Sequence, residues 1–218
     1  MKQIAVLGTG AVGTSIAAKL IELGHQVMMG SRSSLNEKAM AFVASHKGNA
    51  LAGTFADAAA FGEMIINCTA GAASLEALHM AGEKNLEGKI LIDIANPLDF
   101  SKGMPASLSI QNTNSLGEEI QRTFPATKVV KALNTMWCGL MVNPKLVNDG
   151  DHDCFLSGND EAAKETVRLL LNSFGWNDKN ILDLGDITTA RGTEMYLPLW
   201  LRIYGATNNG AFNIKIVS

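Results

Sequence analysis

Ile4-Ala5-Val6-Leu7-Gly8-Thr9-Gly10-Ala11-Val12-Gly13 decides how the rest of the chain is read. A short, continuous apolar run suits a central parallel strand buried on both faces. Glycines follow at once in the spacing G-x-G-x-x-G. Thr14 to Leu23 then reads as a helix, with Ile16, Ala17, Leu20 and Leu23 near one face and Gly24 ending it. Gln26-Val27-Met28-Met29 reads as a second strand. Glycines alone say little, but strand, turn, helix and strand fit here into a unit of about thirty residues. In that setting the first glycine permits the tight turn, and the second lets backbone approach a pyrophosphate. The third lets helix and strand pack closely. Unpaired N–H groups at the start of the helix favour an anion. Gly8, Thr9, Gly10, Ala11, Val12 and Gly13 are therefore expected to hold the phosphates of a dinucleotide.

The end of the second strand selects which dinucleotide. Recognition of a ribose 2′-OH needs an acid at this point. The sequence has Gly30-Ser31-Arg32-Ser33-Ser34 and no carboxylate before Glu37. Arg32 can pair with a 2′-phosphate and lay its planar face on adenine, while Ser31 and Ser33 add hydroxyl donors. NADP(H) is expected over NAD(H). The bland alternative is a surface arginine in a loop.

Further along, helices are expected over Asn36 to Ser45, Ala56 to Phe61 (capped by Thr54) and Ala73 to Ala81. Others are expected from Ser115 to Thr123, from Asp160 to Phe174 and, with a kink at Pro198, over most of Ile187 to Tyr204. Strands are expected at Met64–Cys68, Lys89–Ile94, Lys128–Leu133 and Cys154–Ser157, with a terminal one over Phe212–Val217. Leu98 to Thr113 reads as a loop. Alternating strands and helices imply an α/β fold of Rossmann type, a doubly wound parallel sheet with a small, mainly helical C-terminal addition. The expected division is an NADP-binding domain over residues 1–180 and a segment over 181–218 that packs on it.

Ligands in open α/β sheets sit outside the C-terminal ends of the strands. Thr69-Ala70, Asn96-Pro97 and Asn134-Thr135 follow such ends and are expected to line the ribose and nicotinamide. Ordinary turn chemistry accounts for any one of them equally well. Cys138 comes soon after. Nothing in the sequence activates its thiol, so it reads as a small buried residue. His25, His46, His79 and His152 fall on helix ends or loops, and none is assigned as a general base. Arg191 and Glu194 share a helix face and read as a surface ion pair unless that helix faces the cleft.

The chain has 218 residues, 47% of them hydrophobic, and a net charge of −3. That composition supports a buried core and disfavours a nucleic-acid partner. Cys68, Cys138 and Cys154 are few and widely spaced, so they read as free thiols in a reducing cytoplasm. No Cys or His cluster has metal-ligand spacing, and no metal site is expected. The N-terminus lacks the pattern of a signal peptide, and no apolar run approaches the ~20 residues needed to span a bilayer. The apolar late helix suits either internal packing or a homodimer contact.

The Gly8–Gly13 turn, Gly30-Ser31-Arg32, Val130-Lys131-Ala132-Leu133-Asn134-Thr135, and Ala190-Arg191-x-x-Glu194 leading to Leu197-Pro198-Leu199 occur together. In this combination the chain resembles the coenzyme F420-dependent NADP oxidoreductases. It is similar, too, to the oxidoreductase domain of the STEAP metalloreductases, which uses NADPH and flavin. The resemblance runs over nearly the whole chain. It implies hydride transfer between the nicotinamide and a stacked deazaflavin or flavin (coenzyme F420, FMN or FAD) as the small-molecule acceptor. It also implies that Gly8, Thr9, Val12, Ser31 and Arg32 hold the phosphates. Thr69, Asn96, Pro97, Asn134 and Thr135 would position the nicotinamide end, Asn134 and Thr135 being the expected catalytic residues. Asn134 stands where the deazaflavin enzymes often carry histidine, and Trp137-Cys138-Gly139 departs from their Pro-Ala-Ala-like segment. Both departures fall where the second ring would stack. Two other functions fit the residues: an NADP-dependent dehydrogenase or imine reductase acting on a small metabolite, and a non-catalytic NADP-sensing module.

Overall fold

The computed structural model describes residues 1–46 and 48–217. The first half contains β1 (Gln3–Leu7), α1 (Ala11–Glu22), β2 (Gln26–Ser31), α2 (Glu37–Ser45), β3 (Ala50–Thr54) and α3 (Phe55–Phe61). Then come β4 (Met64–Asn67), α4 (Gly71–Ala81), the single turn α5 (Glu83–Leu86) and β5 (Ile90–Asp93). A small hairpin, β6 (Leu98–Asp99) and β7 (Ser107–Leu108), precedes α6 (Leu116–Thr123) and β8 (Lys128–Ala132). The last part holds α7 (Cys138–Val142), β9 (Cys154–Gly158), α8 (Glu161–Phe174), β10 (Ile181–Asp183), α9 (Ala190–Met195) and α10 (Leu197–Thr207).

The main sheet has eight strands in the order β10-β9-β8-β5-β4-β1-β2-β3. Strand order reverses beside β1, where β4 pairs on one side and β2 on the other. That reversal opens the crevice into which the first turn projects. Alternate side chains of each central strand feed opposite faces, as the pleat requires. Ile4, Val6, Met64, Ile66, Ile92 and Val130 enter one core cluster. Ala5, Leu7, Ile65, Leu91 and Val129 enter the other. Helices cover both faces, and the apolar runs of the strands are explained by that double burial.

The mostly parallel sheet agrees with the expected Rossmann-type fold, with one difference. β9 runs antiparallel to β8, and β10 runs parallel to β9. After β8 the chain doubles back through α7 and two short 3-10 turns instead of crossing a sheet face. β10 falls just after residue 180, so the segment 181–218 begins as the edge strand of the sheet. The terminal strand expected over Phe212–Val217 does not form. That stretch lies as a strap across the start of β9, with Asp153 N–H donating to the Ile214 carbonyl at 2.9 Å and Ile216 N–H to Asp153 Oδ2 at 2.6 Å.

Candidate functional site

The three glycines of the first turn have different surroundings. Gly8 has φ +115°, and a Cβ there would stand 2.6 Å from the Cys68 carbonyl oxygen. At Gly13 a Cβ would lie 2.2 Å from the Gly8 carbonyl oxygen, so helix and turn close on each other. Around Gly10 no heavy atom comes within 4 Å of that position. No contact among the described residues demands glycine there. The open space leaves room for a ligand to approach the backbone closely, which a methyl group would fill.

Helix capping points to the same place. Asn36, Thr54, Ser115 and Asp160 cap α2, α3, α6 and α8 with their side chains. Gly10 and Ala70, before α1 and α4, provide no side-chain cap. The unmet N–H groups of α1 and α4 flank a groove of about 480 Å³ lined by Gly8, Thr9, Gly10, Thr69 and Ala70. Ala11 is the exposed first residue of α1 and offers its backbone, not its side chain. A helix start left open in this way favours an anion.

Ser31, Arg32 and Ser33 line the far end of the same groove. Ser31 closes β2 and is buried, its hydroxyl donating to the Ser33 carbonyl at 2.6 Å. The Ser33 hydroxyl accepts from Leu35 N–H at 3.2 Å. Both serines thus shape the turn that presents Arg32. Arg32 itself is exposed and makes no ion pair among the described residues. A free guanidinium at this point fits a 2′-phosphate. Asn36, Glu76 and Met80 complete the wall and were not expected from the sequence. No local motif marks α4 as the opposite side of the groove.

The groove continues into a second cavity of about 230 Å³, the two sharing Cys68, Thr69 and Ala70. Val12, Asn96 and Asn134 line it, together with Leu98, Phe100, Met136, Met141, Leu197 and Trp200. Asn96 Nδ2 donates to the Asn134 carbonyl at 2.8 Å, and Asn134 Nδ2 donates to Asn96 Oδ1 at 3.0 Å. Leu133, just before, has φ +61° although it carries a Cβ. Such strain costs on the order of 1–3 kcal/mol and persists where surrounding contacts overdetermine it. Here it turns the chain so that Asn134 reaches the cavity. Pro97 is buried behind Asn96, where Gly71 packs so close that a Cβ would lie 2.9 Å from the Pro97 Cα. The structure does not bring Thr135 to the cleft. Past the Leu133 turn it is buried on the other side, against a hollow formed with Phe155, Thr193 and Tyr196.

Among the described residues, the walls of the second cavity carry no acid, histidine, lysine, arginine or tyrosine. The single ionisable group among them is the Cys68 thiol, which burial, and then the Asp93 charge, push far above the ordinary thiol range. Cys138 starts α7 and packs against the main core cluster, but it is half-buried where a buried residue was expected. Trp137 folds over Gly139, where a Cβ would meet its ring at 2.3 Å. His152 is buried, its Nε2 2.8 Å from the Pro144 carbonyl, and it does not line either cavity.

Glu194 and Arg191 do not pair with each other, contrary to the expected surface ion pair. Arg191 pairs with Glu118, Nε lying 2.8 Å from Oε2. The Glu194 side chain is 1% exposed, and its Oε1 meets Lys131 Nζ at 2.8 Å. Its carboxylate also accepts the backbone N–H groups of Leu116 and Gly117, at the start of α6. Lys131 in turn meets Asp93 Oδ2 at 2.7 Å and donates to the Ala95 carbonyl. Burial alone would lower the Lys131 ammonium, but Asp93 and Glu194 outweigh it and hold the group above its usual range. These three ions lie next to Ala95 in the wall of the second cavity; the sequence-based reading assigned Asp93 and Lys131 no role and Glu194 the wrong partner. The signal was there: Asp93 and Lys131 each interrupt an apolar central strand, and charges so placed must be paired.

With the geometry in hand, likeness to known proteins becomes informative. The family described as NADP oxidoreductase, coenzyme F420-dependent, matches residues 3–97. A solved structure from Arthrobacter sp. FB24, provisionally described as an F420 dependent NADP-reductase, is 51% identical. The match covers 100% of both chains with a TM-score of 0.95. The F420-dependent NADP reductase of Methanothermobacter marburgensis is 26% identical over 210 residues, 92% of each chain. Metalloreductase STEAP3 of Rattus norvegicus is 28% identical over 204 residues, 91% of this chain but 38% of the rat protein. No helix among the described residues is long and apolar enough to cross a membrane. Related end to end to one such protein, and carrying the phosphate turn within the stretch that the family model matches, this chain belongs to the coenzyme F420-dependent NADP oxidoreductase family and is an NADP-dependent oxidoreductase.

Proposed function

We propose that the chain transfers hydride between NADPH and a planar deazaflavin of the coenzyme F420 type, or a flavin, seated in the second cavity. One observation carries this reading: the cavity joins the dinucleotide groove directly, is walled mainly by apolar and aromatic side chains, and offers no side chain able to exchange a proton near neutral pH. Reduction of a carbonyl or imine calls for a proton donor within hydrogen-bond reach. Transfer between two stacked rings calls instead for orientation and exclusion of water. The names of the Arthrobacter and Methanothermobacter relatives point the same way.

Bound NADPH supplies the hydride from C4 of its nicotinamide. The residues divide the remaining work. Backbone at Gly8, Thr9, Gly10 and Ala11, with the open start of α1, holds the pyrophosphate, and Gly13 allows the turn to close. Arg32, presented by Ser31 and Ser33, holds the 2′-phosphate. Val12, Thr69, Ala70, Asn96 and Asn134 position the nicotinamide end, with Pro97 buried behind Asn96. Leu98, Phe100, Met136 and Trp200 give the acceptor ring an apolar bed that keeps water out.

The test is oxidation of NADPH by purified protein, followed at 340 nm with F420, FMN or FAD. Turnover with at least one of them is expected. No oxidation with any of the three would overturn the proposal, and a stable complex with a protein partner would then favour a non-catalytic role.

A further inference from the structure

Beneath the cleft a line of polar contacts runs from α9 to Thr69, one of the three residues shared by both cavities. Lys131 Nζ is held by Glu194 Oε1 at 2.8 Å and by Asp93 Oδ2 at 2.7 Å, all three side chains being at most 1% exposed. The other Asp93 oxygen accepts from Asn67 Nδ2 at 2.8 Å. Asp93 Oδ2 takes the ammonium and its Oδ1 accepts from Asn67, which gives the Asn67 amide one orientation. Its Nδ2 also donates to Ser74 Oγ at 3.1 Å, and its Oδ1 faces Thr69 Oγ1 at 2.7 Å. Thr69 must therefore donate inward. Ser74 Oγ lies 2.9 Å from Thr69 Oγ1 and 3.3 Å from the Ala70 carbonyl, so its one proton goes to one or the other. Whichever way Ser74 turns, the Thr69 hydroxyl keeps at least one lone pair and no proton for the cleft.

We propose that Lys131 is a positioning residue which, through Asp93 and Asn67, makes Thr69 an obligate hydrogen-bond acceptor at the junction of the two cavities. Resting on the NADP reading above, this assigns Thr69 the amide N–H of the nicotinamide carboxamide. A ring bearing a carboxamide is thereby preferred to one bearing a ketone, which has no proton to offer. The same ammonium holds the Ala95 carbonyl, next to Asn96, and so fixes the Asn96–Asn134 pair as well. One buried cation thus ties together the ends of β4, β5 and β8.

Titration calorimetry with three probes tests this. They are NADPH, its 3-acetylpyridine analogue with a methyl ketone in place of the carboxamide, and 2′-phospho-ADP-ribose, which lacks the ring. Wild-type protein should bind NADPH about fivefold to tenfold more tightly than the analogue, the worth of one hydrogen bond. In the double variant Asp93→Asn/Lys131→Met, which removes the ammonium and the carboxylate that orients Asn67 and leaves Glu194 on the Leu116 and Gly117 N–H groups, that ratio should fall to about one. Affinity for 2′-phospho-ADP-ribose should be retained. Asn67→Leu keeps the ion pair but cuts the relay, leaves Thr69 free to donate to a ketone, and should give the same loss if the double variant does not fold. A purely structural network would change all three affinities together. An unchanged ratio in either folded variant, or no discrimination by the wild type, would overturn the proposal. Failure of the wild type to bind 2′-phospho-ADP-ribose would instead overturn the NADP reading.

Discussion

Asn96 and Asn134 clasp each other across the ends of β5 and β8, side chain to carbonyl at 2.8 Å and side chain to side chain at 3.0 Å. The pair stands at the wall of the apolar cavity, set by the left-handed turn at Leu133. Asn134→Ala removes one half of the clasp without touching the phosphate groove. The Kd for NADPH should change little, while kcat falls about tenfold to a hundredfold through loss of orientation. A collapse of NADPH affinity would show that Asn134 lies elsewhere in the function.

Arg32 is the exposed cation at the far end of the groove. Arg32→Ala should weaken NADPH about tenfold to a hundredfold, the range for a charge-assisted contact, and leave NADH nearly unaffected. Equal effects on the two cofactors would remove the 2′-phosphate role.

Gly10 and Gly13 lie three residues apart and should respond in opposite ways. Gly10 has φ −79°, and its added Cβ would meet nothing within 4 Å. Gly10→Ala should keep stability within about 1 kcal/mol, yet bind NADPH poorly. Gly13→Ala forces a Cβ to 2.2 Å from the Gly8 carbonyl oxygen, and should destabilise the protein by about 1–3 kcal/mol or more even without cofactor. Urea denaturation and NADPH titration of both variants separate the two demands.

The Arg191 guanidinium donates to Glu118 and holds its carboxyl below the ordinary glutamate range, outweighing the opposing effect of burial. A depressed folded-state value stabilises the fold above the unfolded-state value, and that contribution is lost as pH falls through the folded-state value. Glu118→Gln should therefore lower the urea midpoint at pH 7, and the gap to wild type should narrow below about pH 4. A gap that does not change with pH would mean that the ion pair contributes nothing to folding.

The opening strand, turn and helix were legible because three independent signals coincide there: an apolar run, glycine spacing and a second strand at the right distance. Arg32 was legible because its neighbours lack an acid. β3 was not, since Ala50-Leu51-Ala52-Gly53-Thr54 is an edge strand of small residues with Leu51 exposed, and carries no apolar alternation. The direction of β9 was not legible either, because burial patterns report faces and not polarity. Thr135 was grouped with Asn134 by adjacency, but the turn at Leu133 sends the two to opposite sides. Glu194 was assigned to Arg191 by helical spacing, although its partner, Lys131, lies on a strand 63 positions earlier (194 − 131).

The central claim is that hydride passes directly between two rings with no proton-exchanging side chain between them. The most direct measurement uses NADPH carrying deuterium at C4 on the transferred face, with F420 as acceptor. Carbon C5 of a reduced deazaflavin does not exchange its hydrogen with water, so the label survives there. The account predicts deuterium at C5 of the reduced F420 when the reaction runs in ordinary water. Reduced F420 free of label, formed while NADPH is consumed, would contradict it.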